Sequence, residues 1–248
     1  MLSRPLPLLA VLLLLCAAPV EAQDAPIDTT VVAEDPPTTR DIILLHKIYN
    51  FEEPAFTSLM RGADWTSLKT FYTAAPALWL GTLLLDDEHD YKPAYLLTLT
   101  EAATVGTVFA LKTIVKRPRP YASLSSIASR SRGYSEDDEV FDPHSFPSGH
   151  AATSFAIATS LSLSFPEWYV IAPATLWATA VTISRPWLGV HYPTDIAVGA
   201  ALGVGAAFAV HALGEIITPD ALRGDADDED EMMARPAPPA VRFVIPLR

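Results

Sequence analysis

The chain has 248 residues, half of them apolar and only 19% charged, with a positive mean hydropathy. That is enough for one domain of ordinary size or a small membrane bundle. A formal net charge of −12 argues against nucleic-acid binding, which needs cations to displace counterions from phosphates. The single cysteine, Cys16, lies in the N-terminal apolar stretch, so no disulfide and no thiolate metal site are expected beyond it.

Residues 1–22 read as a secretory signal: Arg4 is the positive start, Leu6 to Ala18 the apolar run, and Val20-Glu21-Ala22 a small-x-small cleavage site. An uncleaved anchor is the alternative. Residues 23–40 are poor in large apolar side chains and rich in Pro, Thr and acid, the composition of a disordered linker. Residues 41–60 carry apolar clusters at helical spacing, interrupted at Pro54. This predicts an amphipathic helix pair lying on a membrane surface or against a bundle.

Five apolar runs follow, at 71–85, 94–115, 151–165, 169–183 and 195–213. Several are shorter than the roughly 20 residues that span a bilayer. All are rich in Ala, Ser, Thr and Gly, which let helices approach closely, and Gly199, Gly203 and Gly205 mark the last. The predicted architecture is all-α, integral in the membrane with about five to six spans counting the leader as an anchor; a soluble bundle is the alternative. The tail from 214 to 248, with its acidic run at 226–231 and Pro-rich end, reads as disordered.

Alternation of the runs sorts their connections onto two sides. The loops at 116–147 and 184–194 share one side, together with Lys112 at the end of the second run and Asp195 at the start of the fifth. If the N-terminus is exported, that side faces the periplasm, although the positive-inside rule disagrees: Lys112, Lys116, Arg117, Arg119, Arg130 and Arg132 all lie there without an intervening acid. A site that holds those cations would account for the conflict.

Three clusters converge on this side. Lys112 and Arg119-Pro120 frame KTIVKRPRP, Pro147-Ser148-Gly149-His150 opens the third run, and Ser184-Arg185 precedes His191 and Asp195. The last pattern alone is equally a polar loop with an Arg/Asp ion pair. Together they read differently. Pro-Ser-Gly before a helix offers unpaired N–H groups and a hydroxyl to an anion, with Gly149 allowing close approach. Lys112, Arg119 and Arg185 supply the positive charge that a phosphoryl group requires. His150 and His191 can serve as acid and nucleophile, and Asp195, four residues after His191, can hold its ring. His144, Arg117 and Lys116 flank the site and either touch substrate or belong to a solvated loop, the latter favoured, while Tyr121 and Trp187 either line an entrance or pack.

The three clusters, K-x6-RP, PSGH and SR-x5-H-x3-D, occur in order, and in them the chain resembles the type 2 phosphatidic acid phosphatase superfamily, which includes acid phosphatases and vanadium haloperoxidases. The resemblance implies a helical bundle and metal-independent hydrolysis of a phosphomonoester or diphosphate. The implied substrate is lipid-linked: phosphatidic acid, phosphatidylglycerol phosphate, undecaprenyl diphosphate or lipid A phosphate. It also implies that His191 becomes phosphorylated and that Asp195 hydrogen-bonds the far nitrogen of its ring. His150 would protonate the leaving oxygen and then activate water, while Lys112, Arg119, Ser148, Gly149 and Arg185 cradle the phosphoryl oxygens. No cofactor or metal is implied. A soluble periplasmic acid phosphatase, a vanadate-dependent haloperoxidase and a non-catalytic lipid-phosphate binder are the rivals.

Overall fold

The computed structural model describes residues 39–86, 89–131 and 142–224. The leader, nearly all of the linker, and the tail beyond residue 224 lie outside the described residues. Those described are helical apart from their connections, with one isolated bridge between Pro118 and His144. The all-α expectation therefore holds.

A short helix, α1 (Arg40–Tyr49), starts at Thr39, whose hydroxyl accepts from the Ile42 amide. The sequence break at Pro54 is real. Glu53 caps the next helix, α2 (Pro54–Leu85), by accepting from the Ala55 amide, and Pro54 fits the first turn, where no N–H is needed. What the pattern did not predict is that α2 continues unbroken for 32 residues, about 48 Å, through the polar stretch 61–70 into the first apolar run. Helices α3 (Lys92–Val115), α4 (Pro120–Ser123), α5 (Gly149–Ser164), α6 (Trp168–Trp187) and α7 (Pro193–Ala212) follow. A short helix α8 (Gly214–Ile217) and a 3₁₀ turn (Asp220–Leu222) carry the helical region past the boundary expected at 213. There a Cβ on Gly214 would stand 3.3 Å from Leu96 Cδ1, and Lys92 pairs with Glu215.

Helix α5 is the centre of the bundle, packed on by α2, α3, α6 and α7. Its small residues explain why: Ala151, Ala152, Ser154, Ala156, Ala158 and Ser160 are all buried, so neighbours close in on nearly every face. The core combines Ala74, Ala75 and Leu78 of α2 with Ala94 and Leu97 of α3, Ile157 and Leu161 of α5, and Val170 of α6. The crossing of α5 and α7 is the tightest point. A Cβ on Gly203 would stand 2.0 Å from the Ala152 carbonyl oxygen, and one on Gly199 would stand 2.5 Å from that of Ser148. Only glycine admits such backbone contact. This crossing draws the start of α7 against the start of α5, and the Ser148 amide donates to the Asp195 carbonyl at 3.1 Å.

Among the described residues two helices, α3 and α7, are long and apolar enough to cross a membrane by length and composition. Only 33% and 22% of their most apolar windows are buried within the chain, so most of that surface faces outward.

Candidate functional site

The site lies where the ends of α3 and α6 meet the starts of α5 and α7. Lys112 stands on the last turn of α3, which stops when Lys116 turns left-handed (φ 51°). Arg185 stands on the last turn of α6, which extends four residues past the run expected to end at 183. The following turn needs Gly189, whose φ is +76° and whose Cβ would meet the Ala128 carbonyl oxygen at 2.6 Å. That turn delivers His191 just before α7. The segment before α5 is tied to the basic loop by the Ser145 amide, which donates to the Arg117 carbonyl at 2.7 Å.

His191 is buried, and its Nδ1 donates to the Ser145 carbonyl at 2.7 Å. That bond sets the tautomer and leaves the lone pair on Nε2, towards which Arg119 Nη1 points at 3.2 Å. Burial first, then the charges of Arg119, Lys112 and Arg185, push this imidazole well below its ordinary value, so the ring is neutral. A neutral imidazole whose lone pair is turned towards Arg119 can attack an electron-poor centre carrying negative oxygens once those oxygens engage the guanidinium.

The expectation that Asp195 holds the far nitrogen of this ring is corrected. Asp195 Oδ2 lies 3.7 Å from His191 Nδ1, beyond hydrogen-bond range. Its fully buried carboxylate is claimed elsewhere: Arg117 Nη1 donates to Oδ1 at 2.7 Å and the Tyr192 amide to Oδ2 at 2.8 Å. A guanidinium and a backbone amide satisfy the charge better than one neutral imidazole would.

The cations do gather. Arg119 donates from Nη1 to the Val190 carbonyl at 3.0 Å and from Nε to the Asp142 carbonyl at 2.9 Å. Lys112 Nζ reaches the His144 carbonyl at 2.7 Å and the Asp142 carboxylate at 2.8 Å. Arg185 Nη2 bonds Asp64 of α2 at 2.6 Å and the Ser184 hydroxyl at 2.7 Å. His150, on the first turn of α5, stacks edge-on against Phe71 at 5.4 Å and feels the charges of Arg185, Arg119 and Lys112 and the imidazole of His191. Gly149 opens α5, whose first N–H groups have no intrahelical acceptor. The Ser148 hydroxyl caps that helix, accepting from the Ala151 amide at 3.4 Å, and keeps its own O–H as a donor. All eight candidate residues thus belong to one neighbourhood, with Asp195 and Ser148 in supporting contacts.

Other residues complete it. Arg117 is not a solvated flank: it joins Asp195 to Asp41 of α1 (2.8 Å) and to Thr194 (2.7 Å). Thr194 in turn binds Asp41 through its amide at 3.0 Å, so α1 is latched to the turn carrying His191. Trp187 packs with Met60, Leu188 and Val190, and Tyr121 packs beside it. Asp142, Ser145 and Asp64 carried no motif signal, although the first two lie five and two residues before Pro147 of the PSGH cluster. Among the described residues no group of three His, Cys, Asp or Glu is arranged to hold a metal ion.

Comparison with known proteins agrees with this geometry. A family model described as the PAP2 superfamily matches residues 93–217, from the second residue of α3 through α8. Lipid A 4'-phosphatase of Bacteroides thetaiotaomicron is 34% identical over 119 residues, 46% of this chain and 49% of that protein. Undecaprenyl-diphosphatase of Sulfolobus acidocaldarius is 40% identical over 60 residues, 24% of this chain and 29% of its own length. The chain therefore spans half or less of these curated relatives. Among solved structures, Aquifex aeolicus LpxE superposes with a TM-score of 0.52 at 27% identity, covering 73% of this chain and 99% of that one. The transmembrane PAP2 type phosphatidylglycerolphosphate phosphatase of Bacillus subtilis superposes at 0.57 over 87% of this chain and 98% of its own, with 24% identity, a likeness of fold. With the family model spanning the helices that build the site, and with all three motif clusters meeting at one end of them, the chain belongs to the PAP2 superfamily.

Proposed function

We propose that this chain is a membrane-embedded phosphatase that removes a phosphoryl group from a lipid-linked phosphomonoester or diphosphate through a phosphohistidine on His191. The observation that carries the reading is the buried His191 ring, with Nδ1 donating to Ser145 and Nε2 turned towards Arg119. In the first step Nε2 attacks phosphorus and the bond to the leaving oxygen breaks. His150, protonated once the phosphate's negative charge offsets the surrounding cations, gives that oxygen its proton. In the second step His150 takes a proton from water, the water oxygen attacks phosphorus, and the P–N bond breaks to release phosphate. Lys112, Arg119, Arg185 and the first-turn amides of α5 stabilise the charge on the non-bridging oxygens. Asp195 acts through Arg117 and the Tyr192 amide to fix the turn that carries His191.

The lipid assignment draws support from two sources. The outward surfaces of α3 and α7 are apolar, as a bilayer requires, and the names of the relatives are those of lipid phosphatases. A span count of five to six, with the site on the periplasmic side, belongs to the same proposal. The test is phosphate release across a panel of phosphatidic acid, phosphatidylglycerol phosphate, undecaprenyl diphosphate, lipid A and p-nitrophenyl phosphate, with and without EDTA. Turnover by wild type in EDTA, and loss on the order of 10⁴-fold or more in a folded His191→Ala variant, are expected. A requirement for added divalent metal, or an active His191→Ala, would refute the mechanism.

A further inference from the structure

We propose that Asp142 is an internal ligand of the anion site, and that its carboxylate sets the affinity of Lys112 and Arg119 for every incoming phosphate by competing for them. Asp142 Oδ2 lies 2.8 Å from Lys112 Nζ and 3.1 Å from Arg119 Nη2, a bridging position between two of the cations assigned to the phosphoryl group. The bridge is held from behind. Oδ1 accepts from the His144 amide at 3.2 Å, and the Asp142 carbonyl accepts from Arg119 Nε at 2.9 Å. Exposure is uneven across the bridge: the Asp142 side chain is 31% exposed, against 11% for Lys112 and 2% for Arg119. The carboxylate can swing towards water, whereas the cations cannot leave. It is also an anion in place: burial would push it up, yet Lys112 and Arg119 together with the His144 amide hold it below its ordinary value.

A ligand that must first displace Asp142 binds only the fraction of molecules in which the carboxylate has swung away. Its apparent dissociation constant rises by the inverse of that fraction. The factor is the same for all anions, but its consequences differ. A phosphodiester brings one negative charge, which merely replaces the carboxylate's own. A phosphomonoester or terminal diphosphate brings a second charge and three non-bridging oxygens, and it retains useful affinity after the loss. A bilayer presents phosphodiester headgroups in large excess, and the common penalty leaves fewer sites occupied by them without altering the ratio of the two affinities. This inference rests on the phosphatase reading for its purpose, though not for its test.

The experiment measures binding of orthophosphate, methyl phosphate and dimethyl phosphate by titration calorimetry to the full chain in detergent, for wild type and Asp142→Asn. All three are expected to bind more tightly to Asp142→Asn by one common factor, on the order of tenfold. With an active substrate, KM should fall by that factor. Unchanged or weaker binding would mean that Asp142 only orients the cations, and would overturn the proposal. If Asp142→Asn does not fold, Asp142→Ser is read in the same way. Failure of both to fold would make the carboxylate a structural tie and would likewise refute competition. If binding tightens as expected but no phosphate ester is hydrolysed, the functional reading fails and this one stands.

Discussion

At the site end of the bundle Arg119, Arg185, His191 and Asp195 are 1%, 2%, 3% and 0% exposed, whereas on the flanks Phe109, Leu176, Leu84 and Ile114 stand 69%, 71%, 67% and 74% exposed. Water-soluble proteins arrange these residue types the other way round. The two regions are linked by cause. If the flanks face hydrocarbon, as proposed above, the chain cannot use the hydrophobic effect to press its helices together and relies on close backbone contact and polar ties. The Gly203 crossing and the ion pairs around Arg117, Arg119 and Arg185 are those ties, and the same ties assemble the site.

The comparison is broken most severely at the crossing. Gly203→Ala puts a methyl into the Ala152 carbonyl and must push α7 off α5, displacing His191 from its partners. Activity should fall about 10²-fold, as a shift of about 1 Å at a site costs. Gly205→Ala, which meets open space, should change activity and stability little. Steady-state kinetics on the pair checks this. At the charged end, Arg117→Met leaves the buried Asp195 charge without its guanidinium and should lower stability by about 3 kcal/mol. Adding Asp195→Asn should recover much of that loss, as read by thermal melts in detergent. On the flank, Val105→Lys places a charge midway along α3 at a position 56% exposed. In a bilayer this should cost about 2.5–3.5 kcal/mol and lower the membrane-inserted fraction on fractionation. In a soluble bundle the same change would be worth less than about 0.5 kcal/mol.

The smallest effect sharpens the electrostatics. Because the His191 imidazole is pushed down by burial and three cations, it stays deprotonated below the ordinary histidine value of about 6.5. Phosphohistidine formation in rapid-quench experiments should therefore persist as pH falls through about 6.5 and decline only beneath it. The stability sign follows. Between the ordinary and the lowered value the unfolded chain binds a proton that the native chain does not, so this group costs stability as pH falls through that window.

Much of the bundle was legible in the chain. The runs at 94–115, 151–165, 169–183 and 195–213 became α3, α5, α6 and α7 to within a few residues at most ends. Stretch 61–70 was not legible as helix because Asp64, Thr66, Ser67 and Lys69 break the apolar pattern. In the fold those residues sit towards the site end of α2, where Asp64 binds Arg185 and Thr66 accepts from the Trp177 indole at 3.1 Å. Polarity there marks proximity to the site rather than the end of a helix. The acidic partners escaped for a related reason: Asp142 and Asp64 resemble any other surface acid until their neighbours are known.

By itself the order of residues determined which side chains would meet. The apolar runs dictate helices, their alternation dictates which loops share an end, and the spacing of Lys112, Arg119, His150, Arg185 and His191 places all five there. Which carboxylate faces which cation was decided only by the tertiary structure, where Asp195 lies against Arg117 rather than His191, and Asp142 lies between Lys112 and Arg119. Helix periodicity is a local property that a single strand of sequence can carry. Ion pairing turns on differences of about 1 Å between groups on separate helices, and those distances exist only once the helices have packed.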